Sequence, residues 1–569
     1  MSARLRPLFS GAFLFSGAFL FFLVLWPGTP LGQYNGVRSY IEVVVVLTAL
    51  ISIISYSWFS GHSFPSIRRL HIPLLLVPIY FSSQAIIADD RLMGLESAKL
   101  AFFTLFAWLS ACMLYALRAI ISWPMVAVTT ILAASSGFLA ETAGLIPHAV
   151  VEIPLMPMLV ELSHQGGSAF GGFGQKNVFA SFLAAISIWL LALRTNSPTF
   201  EVKQALLECV AIFLTAGTLM ILGSKVGLIG FALPLCCLCR YQFNRCYSRY
   251  TSALIYCGFT GLLAGYVASE LFGMTTSIDR LARAATLDSS TSIRFDAIKL
   301  YLLLMLDQSW FGSDLPFLWS VQGRVLEDRS LIGHDFATQI FSLRHGHNML
   351  LQWFFEYGVI GVVLIFCPYV FWVTKLTKRP VNQLLLMALS LFPIVLHFLV
   401  EFPLLTSSFH WVLLVIIPIS FTNNATTLVH RNLKRSKSAL IQTIGAFLFL
   451  GAGYLAYVEN RSHQTLLTQN YIQEWADYQQ SNWHWMSDPV IGVLAQDLAV
   501  SSMAQIFVES GQHEMLPFVL ESSERILRNY PSEANYKRHI YLLDAMDSQQ
   551  AVVLQGRLDS LIALRDGVR

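Results

Sequence analysis

The sequence predicts an all-α polytopic membrane protein, and three observations support this fold class. Of 569 residues, 55% are hydrophobic and only 12% are charged, whereas soluble domains carry about 25% charged residues. The mean hydropathy is +0.58. Apolar runs long enough to cross a bilayer, about 20 residues each, recur along most of the chain. A soluble core could not bury this much apolar surface, so we expect a membrane to cover it.

About thirteen apolar segments are predicted as transmembrane helices by their length. They span 9–27, 39–58, 71–88, 98–118, 121–141, 177–194, 205–222, 225–240, 251–272, 347–374, 381–400, 408–423 and 439–458. The first segment follows a basic start, as in a signal peptide. Pro27 and Gly28 follow it instead of a small-residue cleavage site, so we interpret it as the first transmembrane helix.

Basic residues predict the orientation of these helices, because cytoplasmic loops carry an excess of Lys and Arg. With the N-terminus in the cytoplasm, every second loop should be basic. The loops placed on that side contain Arg68, Arg69, Arg118, Arg194, Lys203, Arg240, Arg245, Arg249, Lys375, Lys378, Arg379, Arg431, Lys434, Arg435 and Lys437. The opposite short loops are poor in basic residues. We therefore expect segments 142–176, 273–346 and 459–569 on the outer side.

Two domains are predicted, a transmembrane domain over 1–458 that includes the large outer loop 273–346, and an outer helical domain over 459–569. The tail mixes polar and apolar residues and contains no span. Apolar residues at helical spacing in 523–527 and 540–543 predict helices on either side of a proline. A small tetratricopeptide-like arrangement is compatible with this pattern.

His347 and Asn348 end the large loop, and an apolar helix follows them directly. A helix N-terminus disfavours an imidazolium, so His347 is expected to be neutral and able to accept a proton. Gly358 and Gly361, three residues apart, are expected on one helix face, where they allow close helix packing. A polar loop residue satisfied by water is the simpler alternative for His347.

Two basic residues near the outer ends of spans suit a phosphate or pyrophosphate. Lys225 follows Gly223 and Ser224 in a short outer turn, and Arg294 opens an amphipathic stretch of the large loop. Snorkelling to lipid headgroups is the alternative for each. Five further cations of the loop cannot be ranked by sequence: Arg280, Arg283, Arg324, Arg329 and Arg344.

A glycine-rich segment, 169–177, reads Ala-Phe-Gly-Gly-Phe-Gly-Gln-Lys-Asn. Its three glycines predict a loop with exposed backbone amides, and Gln175, Lys176 and Asn177 then open the next helix. Amides and a cation at a helix start could hold a phosphate or sugar hydroxyls, and a plain loop is the alternative. The segment is not a Walker loop, because the Lys-Ser/Thr pair is absent.

These features are predicted on one side of the membrane, where they would supply a base, cations and amide donors. That combination fits transfer of a group from a phosphorylated lipid donor to a hydroxyl acceptor, without nucleotide or metal. The net charge of +3 gives no nucleic-acid footprint. A transporter or lipid flippase is the rival class. Transporters favour ionisable residues at mid-membrane and internal repeats, whereas this sequence has few charges within its apolar segments and no obvious repeat.

One motif resembles the O-antigen ligase and polymerase superfamily of bacterial inner-membrane glycosyltransferases. Its pattern is His, then Asn/Ser/Gln, nine residues, and Gly-x-x-Gly at the helix after the large periplasmic loop. His347-Asn348, nine residues and Gly358-Val-Ile-Gly361 match this pattern. The segment 223–227 is similar to a Ser-Arg-Gly-like segment of the family, with Lys in place of Arg.

Further motifs are similar to those of the same superfamily. Arg294 is similar to the Arg that opens the helical part of the large loop, and Trp310-Phe311-Gly312 follows downstream. The Phe-Gly-Gln-x-Asn segment at 173–177 is similar to the bacterial protein O-oligosaccharyltransferases that glycosylate pilin, although Val178 replaces their usual His. The tail 459–569 matches the outer helical domain that this subgroup tends to carry.

The resemblance implies a GT-C-like fold, a bacterial inner-membrane location and an undecaprenyl-pyrophosphate-linked glycan as donor. It implies en bloc transfer in the periplasm to Ser or Thr hydroxyls of a protein such as pilin. His347 would act as base or orient the acceptor. The implied substrate-binding residues are Lys225 and Arg294 for pyrophosphate, and Gln175, Asn177 and Asn348. No metal or cofactor is implied. Ligation to lipid A core, or polymerisation of repeat units, remains an alternative.

Overall fold

The structure is a computed structural model, and it describes the following parts of the chain. These are 71–87, 91–116, 123–142, 176–196, 202–243, 249–285, 298, 302, 310–312, 348–376, 381–400, 408–421, 508, 516–529, 533–546 and 549–567. Within these ranges every regular element is a helix. Up to the large loop the helices are α1 (Ile72–Ile87), α2 (Arg91–Ala116), α3 (Trp123–Thr142), α4 (Lys176–Asn196), α5 (Val202–Ile221), α6 (Lys225–Phe243), α7 (Arg249–Leu271) and α8 (Ser277–Ala285). After it come α9 (Met349–Leu376), α10 (Val381–Val400), α11 (Ser408–Ser420), α12 (Leu516–Asn529), α13 (Glu533–Ala545) and α14 (Gln549–Gly567).

Each predicted span between 71 and 423 coincides with one helix, and its ends agree to about three residues. The start of α2 is the exception, because the helix begins at Arg91 and includes polar residues before the apolar run. The spans predicted at 9–27, 39–58 and 439–458 lie outside the described residues.

Four helices among the described residues are long and apolar enough to cross a membrane. They are Lys176–Thr195, Thr251–Leu271, Met349–Lys375 and Val381–Val400. Shorter apolar helices cover Ile72–Ile87, Val126–Ser135, Ala205–Ile221 and His410–Ser420. The prediction of a helical membrane protein is therefore confirmed, while the number of about thirteen spans stays a prediction.

The described helices group into two compact units. The first unit lies within 1–81, 99–286 and 364–456, and the second within 82–98, 287–363 and 457–569. In the first unit α4 is central: it contacts α3, α5, α6, α10 and α11, and every residue from Val178 to Thr195 is buried. Small residues such as Ala180 and Ala184 allow these close contacts.

Arg194 was expected in a cytoplasmic loop, and that expectation is wrong. Helix α4 continues to Asn196, and the Arg194 side chain is buried against Glu208 of α5. Its Nη2 lies 2.7 Å from Glu208 Oε1, and its Nε donates to both carboxylate oxygens at 2.8 Å. Because the pair is buried, it neutralises itself inside the bundle and gives no information about sidedness.

In the second unit, the described tail helices α12, α13 and α14 pack around one small apolar cluster. Its buried members are Tyr536, Ile540, Leu543, Ala551 and Leu558. The helices predicted around 523–527 and 540–543 are therefore confirmed. The boundary of an outer domain at 459 lies outside the described residues and stays a prediction.

The tail contains a buried histidine that should make its stability depend on pH. His539 is 5% exposed, and its Nδ1 lies 3.2 Å from Ser523 Oγ. Burial lowers the pKa of His539 from its ordinary 6.5 to about 4. The unfolded chain therefore takes up a proton below pH 6.5 before the folded tail does. Stability should fall as the pH drops from about 6.5 to about 4, by up to about 3 kcal/mol.

Hydrogen exchange of 516–567 in the intact protein, corrected for its intrinsic pH dependence, measures this loss. The control is His539→Gln, which keeps a polar side chain but has no charge to gain. The variant should lose the additional opening between pH 6.5 and pH 4. Equal pH dependence in both proteins would contradict the assignment to His539.

Candidate active site

The structure describes three of the six predicted site residues. Asn177 and Lys225 belong to the first unit, and Asn348 belongs to the second. The other three, His347, Arg294 and Gln175, lie outside the described residues.

Asn348 is the capping residue of α9. Its Oδ1 accepts a hydrogen bond from the Leu351 amide at 3.0 Å, and its backbone oxygen accepts one from Gln352 N at 3.0 Å. A side-chain oxygen in this position satisfies an amide of the first helical turn that has no partner within the helix. Asn348 thus sets where α9 begins, and His347 is the residue directly before the cap. The predicted helix start is confirmed to within two residues.

Helix α9 is broken at Gly358, which has φ 66° and ψ −177°. In an unbroken helix the amide of Ile360 would bond to the oxygen of Glu356. Here it donates to the backbone oxygen of Trp310 at 3.2 Å. The short turn Trp310–Gly312 therefore enters the break and replaces an acceptor of the helix itself.

Only glycine fits on either side of this contact. A Cβ at Gly358 would collide with the Trp310 oxygen, and a Cβ at Gly312 would collide with the Glu356 oxygen. Gly358 and Gly312 also have positive φ, 66° and 89°, which side chains disfavour. The expectation that Gly358 allows close packing of a second helix is wrong, because its close neighbour is a loop backbone. The structure thus brings two of the family-like motifs into direct contact.

The break divides α9 into two parts of different character. The part after it, 359–376, is about 27 Å long at about 1.5 Å per residue, close to the hydrocarbon thickness of about 30 Å. The part before it carries Gln352 and Glu356, whose side chains are buried. Gln352 Nε2 donates to Glu356 Oε1 at 2.9 Å. The part after the break is therefore nearly long enough to cross the hydrocarbon layer by itself. The part before the break directly follows His347 and Asn348 in the chain.

Sequence reasoning did not single out Glu356. It could have been found as an ionisable residue within an apolar run, because such residues are rare in membrane helices and need a partner. The next residue, Tyr357, is 1% exposed, and its hydroxyl lies 3.4 Å from Ser97 Oγ of α2. Tyr357 thus links the first part of α9 to α2, whereas Gln352 and Glu356 pair along α9 itself.

Lys225 is the first residue of α6, after the predicted short turn. Gly223 in this turn has φ 64°, and Ser224 caps α6 by accepting from the amide of Gly227 at 3.2 Å. Arg280 of α8 lies against the same turn, because a Cβ at Gly223 would come within 2.8 Å of its Nε. Two cations and a helix N-terminus therefore meet at one place, which suits an anion.

Arg280 could not be ranked by sequence, because its position depends on how α8 folds back. Ser277 of α8 donates to the backbone oxygen of Leu219 at 2.7 Å. Asp279 accepts from the amide and the hydroxyl of Thr276, which starts the short helix. These contacts hold α8 beside the end of α5 and bring Arg280 to Gly223.

Asn177 lies in the first turn of α4, as predicted, and is partly exposed. The starts of α4 and α6 are adjacent. A Cβ at Gly227 would lie 2.5 Å from Cβ of Ala180, and these residues are two and three positions after Lys225 and Asn177. The structure therefore brings both predicted site residues of the first unit to the same end of the bundle.

The described helices are those of a membrane protein, and the motifs described above resemble those of the O-antigen ligase and polymerase superfamily. A family model described as "Virulence factor membrane-bound polymerase, C-terminal" matches residues 384–552, which begin in α10 and reach into α14. The match supports the superfamily that the motifs resemble, and a membrane glycosyltransferase of the ligase or polymerase type. No curated protein and no solved structure matches the chain.

Proposed function

We propose that the protein is an oligosaccharyltransferase that moves a glycan en bloc from undecaprenyl pyrophosphate to Ser or Thr hydroxyls of periplasmic proteins such as pilin. The observation that carries this proposal is the start of α9. Asn348 caps the helix directly after His347, and the break at Gly358 is held by the 310–312 turn. The residue that follows His347 is thus fixed at a capped helix start, which would give a base beside it the defined position that general base catalysis requires.

The reaction follows from these residues. The hydroxyl oxygen of the acceptor attacks C1 of the first sugar, the bond from C1 to the pyrophosphate oxygen breaks, and undecaprenyl pyrophosphate leaves. His347 takes the hydroxyl proton, or orients the hydroxyl that loses it. Lys225 and Arg294 stabilise the negative charge that grows on the leaving pyrophosphate. Gln175, Asn177 and Asn348 orient donor or acceptor. The bilayer lipids hold the polyprenyl chain.

A protein acceptor is favoured by two features. The segment 173–177 is similar to the subgroup that glycosylates pilin, and the chain continues after its last apolar segment into helices α12 to α14. The matched family region extends into these helices as well. The description of that family names a polymerase, so a repeat-unit acceptor is the second candidate, together with ligation to lipid A core.

An acceptor competition separates these activities. The purified full-length protein is given a glycan on undecaprenyl pyrophosphate, with a pilin-like protein, lipid A core and a second lipid-linked glycan present together. Nucleotide is omitted and a chelator is added. We expect glycan on Ser or Thr of the protein, detected by mass spectrometry. Transfer only to lipid A core, or only to the second glycan, would replace the proposed acceptor.

A further inference from the structure

A buried cluster of one serine and two histidines joins three helices of the first unit. Ser181 Oγ of α4 lies 2.7 Å from His397 Nδ1 of α10 and 2.9 Å from His410 Nε2 of α11. All three side chains are 0% exposed. His397 and His410 lie 216 and 229 positions after Ser181 in the chain, and both contact its one side-chain oxygen. The sequence offered only two histidines in apolar segments as a signal.

The hydrogen-bonding capacity of this oxygen is fully used. A hydroxyl has one hydrogen and two lone pairs, and Ser181 donates its hydrogen to the Val178 backbone oxygen at 2.9 Å. With that hydrogen directed to Val178, Oγ can accept from both His397 Nδ1 and His410 Nε2, an arrangement that requires the matching tautomer of each ring. The bonds are directional, so they specify one rotation of α4 about its axis.

The cluster lies one helical turn below Asn177. Ser181 is four residues after it and therefore on the same helix face, about 6 Å further along the axis. His397 lies three residues before the end of α10, and His410 is the third residue of α11. All three residues are thus near the helix ends that surround the start of α4.

We propose that Ser181, His397 and His410 are positioning residues that hold Asn177 at the angle needed for glycan transfer. This inference rests on the proposed function. Four residues after Asn177, three buried polar side chains hold α4 by hydrogen bonds that apolar side chains could not make. Apolar residues would fill the same space without the desolvation cost of buried polar groups. A rotation of α4 by one residue, about 100°, would break the cluster and turn Asn177 away from the adjacent start of α6.

Removal of the shared oxygen tests the proposal. Ser181→Ala should lower kcat for glycan transfer about tenfold to a hundredfold, as expected for a misplaced group, with KM for the donor changed less than about threefold. The matched control is Ser187→Ala. Ser187 is also buried in α4 and donates to Thr215 Oγ1 at 3.0 Å, but it lies deeper in the helix. Equal losses in both variants would overturn the proposal.

A double-mutant cycle with Asn177→Ala separates positioning from general stability. If Ser181 acts through Asn177, Ser181→Ala should add less than about a twofold loss once Asn177 is alanine. Additive losses, or full activity of Asn177→Ala alone, would overturn the proposal. The thermal midpoints of both single variants are measured alongside, so that an unfolded variant is recognised.

Atom-matched replacements test which nitrogen matters. The amide nitrogen of asparagine can occupy the place of Nδ1, and that of glutamine the place of Nε2. His397→Asn and His410→Gln should therefore keep most of the activity, and His397→Gln and His410→Asn should lose it. The reverse pattern, or no difference within each pair, would contradict the hydrogen-bonded cluster.

One readout does not depend on glycan transfer. In the Asn177→Cys variant, an impermeant maleimide labels position 177, and peptide-resolved mass spectrometry measures the rate at that position alone. Adding Ser181→Ala should change this rate at least about threefold, and adding Ser187→Ala should not. Glycan transfer is measured separately on the wild-type protein. If the wild-type protein transfers no glycan but Ser181→Ala changes the labelling rate, the proposed function is overturned and the control of the α4 orientation by Ser181 is retained. If the wild-type protein is active but Ser181→Ala leaves the labelling rate at position 177 unchanged, the positioning role is excluded.

Discussion

Replacing His347 by alanine should lower kcat for glycan transfer by about 10²–10⁴-fold, the usual contribution of a positioned general base. His347 directly precedes the cap of α9, and Asn348 holds that cap through the amide of Leu351. KM for the donor should change little, because in the proposed mechanism the cations bind the donor and the base does not. Initial rates with a saturating protein acceptor measure this effect.

His334→Ala is the matched control for this prediction, since it removes another histidine of the same loop and should leave the rate within about twofold. His347→Gln distinguishes the two roles that the motif allows. Glutamine can orient a hydroxyl but cannot take its proton at neutral pH. Recovery of activity with glutamine would assign orientation, and continued loss would assign the base. Unchanged rates in His347→Ala would exclude both.

Replacing Gly358 by alanine should cost about 2–4 kcal/mol of stability and more than tenfold in activity. Gly358 has φ 66° and ψ −177°, a backbone conformation that is essentially restricted to glycine and costs about 1–3 kcal/mol with a side chain. The remainder comes from the collision of the new Cβ with the Trp310 oxygen, which forces the 310–312 turn out of α9. The helix break would then lose its external acceptor for Ile360, and the first part of α9 would shift with His347.

Gly273→Ala is the control for a positive φ without a neighbouring contact. Gly273 has nearly the same φ, 64°, but a Cβ there would meet nothing within 4 Å. It should therefore cost only about 1–2 kcal/mol. Thermal unfolding of the two variants and hydrogen exchange at 310–312 measure the difference. Equal effects in both would show that the contact with the turn contributes nothing.

Gly312→Ala should reproduce the effect of Gly358→Ala, because both changes release the same turn. The double variant should then be little worse than either single one, since the contact can be lost only once. This non-additivity distinguishes a shared contact from two independent sites of strain.

The features that were predictable from sequence are those set by local patterns. An apolar run of about 20 residues specifies a membrane helix wherever it packs, so helices such as α4 and α10 begin and end close to their predicted limits. The helix start after Asn348 and the turn before Lys225 also depend only on neighbouring residues. The general class of membrane enzyme followed from the same short motifs.

The remaining features depend on which helix faces which, and no local pattern specifies that. Arg194 follows an apolar run, as a loop cation would, but it is paired with Glu208 inside the bundle. Gly358 has the spacing of a helix-packing residue, but its φ and its contact with Trp310 show a helix break. Arg280 reaches the turn before Lys225 only because α8 folds back.

By itself, the sequence determined that this is a helical membrane protein, and it placed a histidine motif that resembles the ligase and polymerase superfamily directly before a helix start. The tertiary structure decided which distant groups meet: Trp310 with Ile360, Arg280 with Gly223, and Ser181 with two histidines. The physical reason is that helix formation is encoded over a few turns, whereas these contacts require the rotation and depth of several helices to be set together by packing.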